Sequence, residues 1–318
     1  MNLKQLPEDF IVNELLNLKD GGGLYSIFSL KKRNYTTEKA VQLIARTLKV
    51  LRKNIGYAGM KDRNAVTKQH ISIYKVNKDR VEDLDLKDIE LEFITHSNKP
   101  IVLGGLRGNS FEIVVRDLNK NVNINTEVKI KNLFDEQRFS NNNADIGKAI
   151  VKKNFKKAVE LIVEGDGDYE QDVKAFIKLS PNNFIGALNM IPFKILLIFV
   201  HAYQSFIFNE TVKQIDCKEN VKIPLVGFGV EFEDKEVEKI IRKILKKEAV
   251  SERDFIIPSL PHLSCEGDER YLYITPSHLV IGKLEKDELN EKKFKVKISF
   301  SLPKGAYATN VIKQIVSE

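Results

Sequence analysis

Short runs of alternating apolar and polar residues open the chain. Residues 9–14 and "LYSIFSL" at 24–30 carry the two-residue period of half-buried strands, and "KDGGG" between them supplies turn formers. A helix follows: Ala40, Val41, Leu43, Ile44, Leu48 and Leu51 recur at helical spacing, behind Thr36 or Thr37 as N-cap and Glu38 in the first turn. Its polar side would carry Lys39, Arg46, Lys49, Arg52 and Lys53. "NIGYAG" reads as a short extended run, and "HISIYKV", "IELEFITHS" and "NSFEIVVRDL" read as strands. In the last of these Phe111, Ile113 and Val115 share one face.

From about Asn121 the period changes. "DIGKAIVKKNFKKAVELIV", "EQDVKAFIKL", residues 190–212 and "KEVEKIIRKILKKEA" are helical in spacing, and strand character returns near Gly267 with "RYLYI", "FKVKISFSL" and "GAYATNVIK". A strand-rich, helix-rich, strand-rich order predicts an α+β protein in which a helical domain is inserted into a sheet domain completed by the chain's last segment. Residues 184–208 are apolar for almost the length of a membrane span. Pro192, Lys194, His201 and Gln204 interrupt them, so a buried core helix and no membrane partner are expected.

Composition adds location to this picture. The 318 residues carry a net charge of +7, yet residues 31–80 alone hold fourteen Lys and Arg against Glu38, Asp62 and Asp79, so the remainder is net acidic. Tyr25, Phe28, Tyr35, Tyr57 and Tyr74 lie in or beside that basic block, a mixture suited to phosphates and stacked bases. The only cysteines, Cys217 and Cys265, are far apart and have no metal-ligand spacing, which predicts neither a disulfide nor structural zinc and fits a reducing cytoplasm. The first residues, "MNLKQLPEDFIVNE", contain Glu8 and Asp9 and no apolar core of a signal peptide.

Chemistry is narrowed by exclusion. "LGGLRGNSF" is not a dinucleotide fingerprint and precedes a strand, no phosphate-binding G-x-x-x-x-G-K-[ST] occurs, and the five histidines are scattered. What remains is a carboxylate. In "YAGMKDRNAVTKQ" (57–69), Asp62 stands between Lys61 and Arg63 with Lys68 behind, in a segment expected to be a loop between two strands. A carboxylate among cations tends to stay ionised, as a nucleophile or base working near RNA phosphate must.

That stretch resembles the G-x-K-D-x-x-A-x-T-x-Q signature of the TruD family of pseudouridine synthases. "LKQLPEDFIVNE", "LRGNSFEIVVRDL", "NLFDEQRFS", "HAYQSFIFNE" and "FSLPKGAYATNVI" resemble further family blocks, in order, across residues 3–312. The resemblance implies a catalytic pseudouridine-synthase domain built from 1–131 and 268–318, a TruD-type helix-rich α/β domain at 132–267, and isomerisation of uridine, expectedly uridine 13 of tRNA, without cofactor or metal. It implies Asp62 as catalytic carboxylate, Lys4 as its partner, Phe111 stacking on the target base, Asn109 ordering the loop and Gln69 facing substrate. Gln137, Arg138 and Phe139 are expected to line the cleft between domains. Lys49, Arg52, Lys53, Lys61 and Arg63 are expected to meet RNA phosphate. A cytoplasmic monomer with tRNA as partner and no nucleotide cofactor completes the expectation.

Overall fold

The computed structural model describes residues 1–18, 21–82, 84–125, 129–139 and 142–317. The chain divides into two compact units, Met1–Val128 with Thr275–Glu318, and Lys129–Ile274.

In the first unit the alternating runs become β1 (Phe10–Leu15), β2 (Tyr25–Arg33), β3 (Ile55–Tyr57), β4 (Val66–Tyr74), β5 (Ile89–Ser97) and β6 (Gly108–Leu118). The sheet runs in the order Ser277–Ile281, Phe294–Pro303, β6, β1, β4, β2, β5, with β3 on β4. β1 and β4 are parallel, and the other neighbours on that path are antiparallel, so the sheet is mixed. A parallel pair needs a crossover. Here β2, a helix and β3 supply it. That helix, α1 (Thr37–Thr47), is capped by Thr36, whose side chain accepts from the Lys39 N–H at 3.2 Å. Its Ala40, Val41, Ile44 and Ala45 pack with Phe28, Leu30, Ile71 and Ile73 of β2 and β4.

Before β1, the P-E-D turn is held from within. The Asp9 carboxylate accepts from the Leu6 N–H at 2.8 Å and receives Arg116 of β6 at 2.9 and 3.0 Å. The same guanidinium reaches Asp287 at 2.8 Å and Glu288 at 3.1 Å, so one buried arginine ties three distant segments of the unit together.

Three local readings change. The helix ends at Thr47, because Lys49 takes a left-handed φ of 54° and Arg52–Asn54 form a separate 3-10 turn. Lys49, Arg52 and Lys53 therefore do not extend its polar face. "GAYATNVIK" is a helix, Ala308–Ile315, not a strand. Ala308, Val311, Ile312 and Ile315 are its buried stripe, at helical spacing within β-branched composition. The run at 145–163 is broken at Lys153, with φ 57°, into Asn143–Val151 and Phe155–Ile162.

The second unit also contains helices Asp168–Leu179 and Lys235–Glu248, and Lys222–Leu225 pairs antiparallel with Asp268–Tyr271, which follows that second helix in the chain. The apolar segment 184–208 is not one helix: Phe184–Leu188 is a short helix of its own, and after Pro192 the 22-residue helix Phe193–Gln214 begins, long and apolar enough to cross a membrane by length and composition. Leu196, Phe199, Val200, Tyr203, Ile207, Phe208 and Val212 of this helix are buried in the unit's core.

Candidate active site

Parallel pairing of β1 with β4 aligns Ile11, Val12 and Asn13 with Val66, Thr67 and Lys68. This brings the turn that precedes β1 beside the loop that precedes β4. Lys4, with φ 61°, donates from Nζ to Asp62 Oδ2 at 2.6 Å, and the same ammonium lies 4.1 Å from the centre of the Phe10 ring. Asn64 returns the contact, donating from its amide to the Lys4 carbonyl at 3.0 Å. The two partners, separated by 58 positions, form one unit with side chains 19% and 30% exposed. The carboxylate thus reaches solvent while its charge is matched.

Almost every residue of the loop is tethered. Ala58 O accepts from Gly104 N at 2.8 Å, Gly59 O from Gln69 Nε2 at 3.1 Å, and Thr37 Oγ1 accepts from Lys61 N at 2.8 Å while donating to Gln69 Oε1, also at 2.8 Å. Gln69 has no exposed surface, so it braces the loop from inside and does not face substrate as expected.

Lys61 also departs from expectation. Its side chain is only 6% exposed; Nζ donates to Asn109 Oδ1 at 2.5 Å and lies 3.3 Å from Oε1 of Glu14, whose side chain is fully buried. Burial pulls the Lys61 ammonium below the usual lysine range, and the Glu14 and Asp62 charges act against it. Burial pushes Glu14 up, but hydrogen bonds from the His70 side chain and backbone, with Lys61, leave its carboxyl below the ordinary value. Lys61 is an internal strut that couples the loop to β1 and β6, not a cation on the surface.

Asn109 is held on β6 opposite Glu14 and follows Gly108, where a Cβ would stand 2.2 Å from the Leu302 carbonyl oxygen; only glycine fits that approach. Phe111, two residues on, is 7% exposed. Its ring packs against Phe10 at 6.1 Å and Phe300 at 5.5 Å, between neighbouring strands. Arg52 is committed as well: it donates to both Glu38 oxygens at 2.8 and 2.6 Å and to the Ile55 carbonyl at 2.8 Å, and lies over Tyr57. Lys49, Lys53 and Arg63 are exposed. Among the described residues, no group of three or more His, Cys, Asp or Glu is placed to hold a metal ion.

One residue that the sequence reading missed is Lys32 of β2, fully buried, whose Nζ donates to the Asp62 carbonyl at 2.9 Å. Phe28, Leu30 and Lys32 alternate onto one face of the strand, which was the available signal.

The model of a protein family described as tRNA pseudouridine synthase D (TruD) matches residues 1–179, 164–216 and 215–315. The chain belongs to the TruD family. A TruD relative in Methanocaldococcus jannaschii, named "Probable tRNA pseudouridine synthase D 2", is 31% identical, with 99% of this chain and 91% of that protein covered. The tRNA pseudouridine synthase D of Aquifex aeolicus is 27% identical over 99% of this chain and 98% of its own. A TruD crystal structure from Methanosarcina mazei superimposes with a TM-score of 0.74 at 27% identity, covering 98% of this chain and 92% of that one. Two TruD blocks meet inside the second unit. Asn209 of "HAYQSFIFNE" accepts from Phe134 N at 2.9 Å and donates to Phe134 O at 2.8 Å, and Arg138 reaches Ser205 Oγ at 3.3 Å. Arg138 and Phe139 are half-buried there; the side chain of Gln137 lies outside the described residues.

Proposed function

We propose that this TruD-family isomerase converts uridine 13 of tRNA to pseudouridine with Asp62 as its catalytic carboxylate. We further take 1–131 and 268–318 as the catalytic domain and 132–267 as the inserted TruD-type domain. The observation that carries the reading is the 2.6 Å ion pair between Lys4 and Asp62 on a loop tethered along its length. Reactivity needs an ionised carboxylate held in one place, and the pair with its struts provides that condition before any substrate arrives.

The reaction is balanced within the substrate. The bond from uracil N1 to ribose C1′ breaks, the base turns, a bond from C5 to C1′ forms, and the C5 proton is lost while N1 gains one. Asp62 starts the sequence either by attacking C1′, giving an ester that C5 later displaces, or by taking a sugar proton so that the glycosidic bond opens. In both routes its negative charge is spent in the first step, and Lys4 loses its counter-ion. The uridine must leave its stack to reach the carboxylate. Asn109 holds Lys61 and through it the loop, Phe111 is taken as the aromatic beside the base, and Lys49, Lys53 and Arg63, which are exposed, are taken as the phosphate contacts.

The test is pseudouridine mapping by carbodiimide-dependent primer-extension stops on a tRNA transcript, with wild-type protein and Asp62→Asn, and on a transcript carrying cytidine at position 13. A stop at position 13 that is absent with Asp62→Asn, at unchanged tRNA affinity, is expected. Turnover by Asp62→Asn would overturn the role of the carboxylate, a stop elsewhere would overturn the site, and binding without any stop would leave an RNA-binding protein on this fold.

A further inference from the structure

Lys4 holds the carboxylate end of Asp62; a different lysine holds its backbone. Lys32 has no exposed surface, and its Nζ donates to the Tyr35 carbonyl at 2.5 Å and to the Asp62 carbonyl at 2.9 Å. Both acceptors are neutral, and among the described residues no carboxylate lies within ion-pair distance of this ammonium. Taking a cation out of water onto two carbonyls is unfavourable, and an apolar side chain of similar volume generally suits a core better. Lys31, its neighbour on the strand, points the other way and pairs with Glu90 at 3.0 Å on the surface, so a cation near this position does not require burial.

We propose that Lys32 is a positioning residue for the isomerisation, clamping the Asp62 peptide carbonyl so that the carboxylate held by Lys4 meets the ribose at a fixed distance and angle. The inference rests on Asp62 being the catalytic carboxylate. With both ends of the residue anchored, its side-chain torsions have little freedom. Removing the backbone anchor lets the carboxylate follow Lys4, which itself sits on a turn, and a misplacement of about 1 Å costs roughly 100-fold in rate.

Charge provides an independent handle. Burial lowers the Lys32 ammonium to about 8, against the Asp62 charge, which raises it, and with the Lys61 charge, which lowers it further. The clamp is therefore cationic at neutral pH and loses its charge as pH rises through about 8. The unfolded chain keeps its proton to higher pH, so over the same interval deprotonation of Lys32 makes the fold more stable, while activity falls. A lysine with only a structural role would not link activity to this titration.

The experiment compares wild type, Lys32→Met and Asp62→Asn in single-turnover pseudouridine formation on the tRNA transcript, across neutral and alkaline pH, with tRNA affinity and thermal midpoint measured on each. Lys32→Met is expected to bind tRNA as wild type does and to keep or raise the midpoint. Its rate should fall about 100-fold and lose the alkaline limb that wild type has near pH 8. A Lys32→Met rate within a few fold of wild type, while Asp62→Asn is inactive, overturns the clamp and leaves the catalytic carboxylate in place. Turnover by Asp62→Asn overturns both. If Lys32→Met fails to fold, the wild-type profile decides: a rate flat through pH 8 overturns the proposal, and an alkaline loss accompanied by a rising midpoint supports it.

Discussion

Lys61→Met separates a strut from an RNA contact. In the structure the Lys61 side chain is 6% exposed and faces the Glu14 carboxylate, which has no exposed side-chain surface. Without the ammonium, Glu14 keeps, among the described residues, only the His70 backbone N–H at 2.9 Å and the His70 ring at 3.3 Å. Removing one member of a buried ion pair costs about 3–5 kcal/mol, because the other charge stays buried. For a unit of this size each kcal/mol moves the midpoint by roughly 2–4 °C, so the variant should melt on the order of 10 °C lower. Adding Glu14→Gln should recover much of the loss, since the amide needs no counter-charge. The sign with pH is also fixed. In wild type the depressed Glu14 carboxyl contributes stability above its ordinary 4.5, and that contribution is lost as pH falls through its lower folded value. In Lys61→Met, burial is less opposed and Glu14 takes up its proton earlier, so the gap between variant and wild type should narrow on acidification from neutral pH. Thermal unfolding across that range, with tRNA affinity at two salt concentrations, measures both roles. An unchanged midpoint with weaker binding and a salt slope reduced by about one would refute the strut and return Lys61 to the RNA surface.

Further substitutions have expected outcomes of their own. Replacing Lys49, Lys53 and Arg63 by Gln should flatten the dependence of log affinity on log salt by about 0.7 for each phosphate no longer neutralised, whereas Arg52→Gln should leave the slope alone. Its effect should appear in unfolding, by no more than about 1 kcal/mol given the exposure of the pair, because the Arg52 hydrogen bond first among its partners holds Glu38 down to about 2; that contribution is present above pH 4.5 and disappears as pH falls through about 2. Phe111→Ala should cost about 3–5 kcal/mol by opening a cavity between Phe10 and Phe300, whereas Phe111→Leu should keep most of the stability and lose turnover. Full activity in folded Phe111→Leu would exclude a stacking role for the ring.

Periodicity carried most of the sheet and α1, because each buries a face of the period the eye can follow, whereas the long core helix, buried on nearly every side, was legible from the length of its apolar run. It failed where chain direction changes without the usual marker. Lys49 occupies a left-handed position that glycine often fills after a helix, so nothing announced the stop, and Arg52 looked like one more residue on a polar face. The last helix was hidden by composition, since Ala308, Val311, Ile312 and Ile315 are spaced for a helix in a segment of β-favouring residues. At the site, no local pattern relates Lys4 to Asp62, which meet across 58 positions only because β1 lies parallel to β4; that pairing came from the family resemblance. Charge type also misled. Lys32, Lys61 and Arg52 resemble surface cations in sequence, but two are internal to the loop's support and the third is consumed by Glu38.

The buried arginine that gathers Asp9, Asp287 and Glu288 has a consequence for synthesis on the ribosome. Arg116 and its partner Asp287 are 171 positions apart, with the whole of Lys129–Ile274 between them. When β6 emerges it can pair with β1, but the strand that covers its other edge, Phe294–Pro303, is made only after the intervening unit. During that interval β6 presents an open edge and Arg116 has one of its three carboxylate partners. The intervening unit is contiguous and can fold while it waits. The part of the nascent chain that needs shielding is thus the edge of β6, the strand that carries Asn109 and Phe111.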